Sequence, residues 1–329
     1  MGWVERLRAT GADLSGDPLS AHVGVPTEGY LWRFTQPESG STLLVTATVN
    51  RTGADTWGLV TLAAHPEGTV HTATTSAATA DPDAFGVTAG AALRARPDRL
   101  RVDLGPDAQL DVGITEPVGW PRQSAGAALV EALPGLNRYW HPWLFGGRVT
   151  GSVRIGGVTR TLDGAQVYAE KHWGKGRFPD YWWWGQAQGF AEREVCVAFA
   201  GGAVPDSAYR RVVTVVVLAL PDGQVLRIGD PIISGVRGRA DGQRWSFHGR
   251  SARTGITLEG TVIGAEPLAL PVPLPDRRAT VTPAVTDPAA RLHVGVRQRS
   301  ELIWSGESRL AALEYGERTD PPEAPGDPT

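Results

Sequence analysis

Alternation of apolar with polar or small side chains, broken at short intervals by glycine, proline or aspartate, governs this chain almost from end to end. Residues 41–50 read STLLVTATVN, and 57–64, 99–104 and 109–115 repeat the two-residue period. That period sends successive side chains to opposite faces, which suits a strand and not a helix. In the second half, residues 211–220 (RVVTVVVLAL) form a β-branched run that Pro221-Asp222-Gly223 turns directly into 224–228, a hairpin signal. Residues 152–155 and 158–162 flank Gly156-Gly157 in the same way, and 243–251, 256–263, 291–298 and 301–315 carry the pattern onward. The 41 glycines and 25 prolines, spread throughout, supply the turns that many short strands require.

Three segments differ. Residues 124–133 (SAGAALVEAL) lack alternation and stop at Pro134-Gly135, which predicts a short helix near the middle of the chain. Residues 266–276 (EPLALPVPLPD) read as a proline-rich extended loop, and the acidic, proline-rich end from Thr319 as a disordered tail. The expected architecture is all-β: two tandem lipocalin-like antiparallel β-barrels of about eight strands each. The first domain takes residues 1–146 with the connecting helix, the second 147–318, and the tail 319–329. A single large sandwich is the alternative.

Charge and motif content narrow the function. With 32 basic and 35 acidic residues the net charge is −3, too little to favour a nucleic acid. A single cysteine, Cys196, excludes an internal disulfide and a multi-cysteine zinc site, and the seven histidines stand at no metal-ligand spacing. Walker, Rossmann, Gly-x-Ser-x-Gly and His-Glu-x-x-His signatures are absent, so neither metal nor cofactor is expected. No stretch is long and apolar enough for membrane insertion, and the start, MGWVERLR, carries no leader, which makes the cytoplasm the expected location.

Tryptophan points to the site. Seven of the 12 fall between Trp120 and Trp184. They surround the stretch 166–190, QVYAEKHWGKGRFPDYWWWGQAQGF, which also holds the only two lysines, Lys171 and Lys175. If 167–173 is a strand, Tyr168, Glu170 and His172 share one face, and Ala169, Lys171 and Trp173 the other. A second strand from Tyr181 puts Trp182, Trp184, Gln186 and Gln188 on one face. Indoles and amides together make a ligand wall, and a Glu buried beside such rings has its pKa raised, as a general acid requires. The bland alternatives are an ion-paired Glu170, a hydrogen-bonded core His172 and core indoles.

The sequence YAEKHWG (168–174), followed by Phe178-Pro179 and YWWWGQ (181–186), resembles the signature of the tocopherol cyclase family. Three further blocks agree in order: EGYLWRF (28–34), YWHP (139–142) leading to Gly146-Gly147, and LEYG (313–316). The resemblance implies a tandem lipocalin-like architecture with a pocket near the contact of the halves, shared more distantly with carotenoid hydratases and lipocalin-like Diels–Alderases. The family usually has Asn where this chain has His172.

These readings make Glu170, His172 and Tyr168 the candidate catalytic residues. Tyr30, Trp32, Trp140, Lys171, Trp173, Trp182, Trp184 and Gln186 are the candidate contacts to an apolar small-molecule substrate. Three chemistries stay open. In an acid-initiated intramolecular cyclase, Glu170 protonates an alkene and indoles stabilise the cation. In a pericyclase, a shaped cavity folds a polyene while Gln186, Tyr168 or an indole N–H polarises a carbonyl. A carrier would only bind its lipid or polyketide.

Overall fold

The computed structural model describes residues 3–13, 17–53, 55–121, 129–134, 136–175, 179, 181–203, 212–229, 235–263 and 266–317. They form three antiparallel sheets. In the first, the strands run in the order Arg138–Leu144, Gln166–Gly174, Thr27–Gln36, Ser41–Thr52, Asp55–His65, Thr69–Thr75. The second holds seven strands between Ala78 and Thr161, and its inner side packs on the first around one core that includes Tyr30, Trp32, Phe34 and Val149. The third has ten strands, all the described ones from Tyr181 to Glu317, with its own core around Trp183, Phe199, Trp245 and Phe247. The predicted all-β class is what the chain adopts.

Burial shows which faces are covered. Strands such as Leu93–Arg96 and Arg99–Asp103 alternate buried and exposed, because their outer face meets solvent. Thr27–Gln36, Ser41–Thr52 and Gln166–Gly174 are buried on nearly every residue. Their inner face lines the first core, and their outer face meets the third sheet across a seam that includes Leu44, Phe145, Tyr168, Trp182, Trp184 and Ala198.

Strands from both sides of residue 146 share sheets: Gly146–Ile155 pairs with Ala108–Val118, and Gln166–Gly174 pairs with Thr27–Gln36. The chain passes from the first two sheets to the third only between Gly174 and Tyr181. Of the predicted helix over 124–133, residues 124–128 lie outside the described residues, and Leu129–Ala132 is a 3-10 turn. A six-residue helix, Trp3–Arg8, opens the chain instead. The proline-rich segment is a strand, Leu268–Leu274, which among the described residues pairs only with Ala279–Gln298. An edge position tolerates Pro271 and Pro273, which have no N–H to give to a second neighbour. The expected disordered tail lies outside the described residues.

Candidate functional site

A cavity of about 390 Å³ lies in the seam between the first and third sheets. Its volume falls in the range of small-molecule sites. Directly paired strand residues share a face, so the register builds each wall row by row. On the first sheet one row runs Thr46, Leu31, Glu170, Pro142, and the next runs Thr48, Gly29, His172, Trp140. On the third sheet the facing rows are Ala200, Trp184, Glu314, Thr286 and Gly202, Trp182, Gly316, Ala284. Leu270 and Val272 of the proline-rich edge strand close one side, and Arg138, Glu131 and Arg227 stand at another.

Two glycines make room for the rings. A Cβ on Gly29 would come 2.0 Å from His172 Nε2, and one on Gly316 would come 2.1 Å from Trp182. The imidazole and the indole thus press against bare backbone, which explains why glycine stands in both the EGYLWRF and LEYG blocks.

Glu170 is the chemical centre. It is 3% exposed, and it accepts two hydrogen bonds on one oxygen: Tyr168 Oη to Oε2 at 2.5 Å and Trp184 Nε1 to Oε2 at 2.8 Å. Burial pushes its pKa up to about 7, against the opposing pull of Tyr168, Trp184 and the nearby Trp140 indole and with help from the charge of Glu314. Burial likewise raises Tyr168 and, helped by the charges of Arg138 and Lys171, lowers His172 well below the usual imidazole range. His172 therefore favours the neutral imidazole, a polar group on the cavity wall.

The structure brings together Glu170, His172, Trp140, Trp182 and Trp184 on the cavity, with Tyr168 beside Glu170. Tyr30 also lines the cavity, while its ring stacks near Trp32, 6.3 Å between centroids, and its hydroxyl donates to Glu28. Trp32, Lys171, Trp173 and Gln186 do not line it. Trp32 fills the first core. Lys171, on the opposite face from Glu170, sits in a buried ion cluster, with Nζ 2.7 Å from Glu28 Oε2 and 3.1 Å from His22 Nδ1. Trp173 stacks between His22 and Tyr139, with ring centroids at 4.3 and 5.4 Å. Gln186 belongs to the seam, where its Oε1 accepts from Arg33 at 2.6 Å. Arg33 reaches across to the backbone oxygens of Pro288 and Leu310, and burial lowers its pKa to about 9.

One site residue escaped the sequence reading. Glu314 accepts from Trp182 Nε1 at 3.0 Å and from Thr286 Oγ1 at 2.9 Å, and burial raises its pKa. The LEYG block contained it, and the pairing of its strand with Tyr181–Ala187 sets it opposite Trp184. Among the described residues no group of three or more His, Cys, Asp or Glu is placed to hold a metal ion. No helix among them is long and apolar enough to cross a membrane.

The model of the tocopherol cyclase-like family matches residues 99–317, well over half the chain. The chain belongs to the tocopherol cyclase-like family. Over 95 residues this tocopherol cyclase-like protein is 36% identical to the probable chloroplastic tocopherol cyclase of Oryza sativa subsp. japonica and 35% identical to the chloroplastic tocopherol cyclase of Zea mays. Each alignment takes in 27% of this chain and 20% of the relative, so the chain matches about one-fifth of those relatives' length. Among solved structures it is similar to CghA, at 13% identity and a TM-score of 0.57, over 95% of this chain and 97% of that one. It is also similar to kievitone hydratase from Nectria haematococca, at 10% identity and a TM-score of 0.52, over 89% of each chain. At such identities the likeness is one of fold.

Proposed function

We propose that this tocopherol cyclase-like protein is a cofactor-independent intramolecular cyclase, an isomerase that closes a ring in an apolar prenylated or polyene substrate, with Glu170 as the acid. The observation that carries this reading is a buried carboxyl, half-protonated near pH 7, on the wall of an indole-lined cavity. Both of its hydrogen-bond donors meet Oε2. The acid form carries one proton on its carboxyl. That proton goes to an alkene carbon. The faces of Trp140, Trp182 and Trp184 favour the cation that results, and a nucleophile of the same molecule closes the ring.

Glu170→Gln keeps an oxygen for Tyr168 and Trp184 but removes the acid. Turnover of a prenylated hydroquinone should fall by a factor on the order of 10² to 10⁴, the usual worth of a general acid, with little change in binding. Wild-type product formed in heavy water should carry one deuterium on a former alkene carbon. One feature favours the pericyclic alternative: the Trp140 N–H lines the cavity and makes no hydrogen bond of normal geometry, so it could polarise a carbonyl. The donors of Tyr168 and Trp184 are already committed to Glu170. Product without deuterium, from a Gln variant that still turns over, would replace the acid reading with the pericyclic one. Substrate recovered unchanged would leave a carrier.

A further inference from the structure

Glu314 has no part in the acid step, yet it faces the same cavity from the opposite wall. Trp182 and Trp184 lie on one face of their strand, two residues and so roughly 7 Å apart. Trp184 gives its N–H to Glu170 and Trp182 gives its own to Glu314. One pair of indoles thus holds two carboxyls as separate groups.

The donors are distributed differently on the two. Glu170 receives both on Oε2. Glu314 receives one on each oxygen, Trp182 on Oε1 and Thr286 on Oε2. Hydrogen bonds to a carboxylate favour its charged form, so a donor on each oxygen suits Glu314 to hold a carboxylate facing the cavity. Burial raises both carboxyls, and the charge of Glu314 adds to the rise at Glu170.

We propose that Glu314 is the base of the ring closure: its carboxylate takes the proton released by the substrate's own nucleophile. This rests on the acid-initiated reading of Glu170. The Glu170 O–H bond breaks and a C–H bond forms from the alkene π pair. A lone pair of the nucleophile then forms the new ring bond to the cation, its own O–H bond breaks, and that proton ends on Glu314. The product is an isomer of the substrate. Loss of one proton from Glu314 to water and gain of one by Glu170 resets the pair. Among the described residues the other titratable or charged groups lining the cavity are Tyr30, Tyr139, His172, Arg138, Glu131 and Arg227; Glu131 is within 3.3 Å of His141 Nδ1 and 3.5 Å of Arg227.

The test has two arms on the full chain. In the first, infrared difference titration follows the protonated carboxyl band. Wild type should lose a band with a midpoint near about 7 that Glu170→Gln lacks, and Glu314→Gln should move that midpoint down by removing a neighbouring negative charge. An unmoved midpoint overturns the pairing.

The second arm measures turnover of geranylhydroquinone against pH. Wild type should give a bell, with an alkaline limb from Glu170 and an acid limb from Glu314. Glu314→Gln should lose on the order of 10²-fold in rate and lose the acid limb. Thr286→Val, which removes one donor and touches neither carboxyl's covalent structure, should keep a bell with its acid limb moved to higher pH. An acid limb unchanged in both variants overturns the proposal. If Glu170→Gln alone stops turnover and Glu314→Gln keeps full rate, the base assignment fails and the acid reading stands; if Glu170→Gln keeps full rate, the acid reading itself fails. Should the wild type leave this probe unchanged, the infrared arm decides.

Discussion

Removing the charge at Glu170 should make the protein more stable, but only in alkaline solution. The carboxyl goes from an ordinary 4.5 to about 7 on folding, chiefly through burial. A pKa raised in the folded state favours the protonated fold: its stabilising effect is complete below the unfolded value near 4.5, declines as pH rises, and is gone once pH has passed the folded value near 7. At ~1.4 kcal/mol per pH unit, the buried carboxylate costs the fold ~3 kcal/mol at pH 9. Glu170→Gln carries no charge and leaves an oxygen for Tyr168 and Trp184. Its stability relative to wild type should stay near zero at pH 4 and rise by up to ~3 kcal/mol by pH 9. With an unfolding entropy of roughly 2 cal/mol/K per residue, that is about 5 °C in Tm for a chain of this length. Paired thermal unfolding curves of the two proteins from pH 4 to 9 read the difference directly. A Tm difference that stays flat with pH, or a Gln variant less stable than wild type at pH 9, would refute a buried, high-pKa Glu170.

Two further substitutions probe what surrounds that carboxyl. Lys171→Met leaves Glu28 buried beside His22 without its ammonium and should cost on the order of 3–5 kcal/mol, read as a lower urea midpoint; adding Glu28→Gln to it should recover part of the loss. Gly316→Ala puts a methyl 2.1 Å from the Trp182 ring, so the indole must turn. Binding of geranylhydroquinone, followed by quenching of tryptophan fluorescence, should weaken at least tenfold; unchanged binding would show that Trp182 does not shape the cavity.

The two-residue period made the strands legible, and with them the grouping of Tyr168, Glu170 and His172 on one face and of Trp182 and Trp184 on another. Period alone does not say what covers a face. Trp32 and Trp173 are as aromatic as Trp140 and Trp184, yet their side of the strand looks into the first barrel, where packing and the ion cluster around Lys171 and Glu28 claim them. Lys171 drew notice as a rare lysine inside the motif, but its neighbours come from 150 residues earlier in the chain. Glu314 was missed for the converse reason: only the pairing of Glu301–Glu317 with Tyr181–Ala187 sets it across from the motif. Prolines concealed the strand Leu268–Leu274, because an edge position satisfies backbone rules that a central one would break.

The cavity lies between two cores, and only a few members of either, such as Tyr30, Ala47 and Trp183, reach its lining. In a single barrel that holds its ligand in the lumen, any enlargement of the site removes core. Here Leu31, Thr46, Thr48, Ala200, Val215 and Leu270 project into the seam, while the inward residues of the same strands keep their own packing. The seam can be recarved one side chain at a time for longer, bulkier or more polar guests, and the two cores need not change. Substrate range and fold stability are written on opposite sides of the same strands, which makes this architecture suited to diversify.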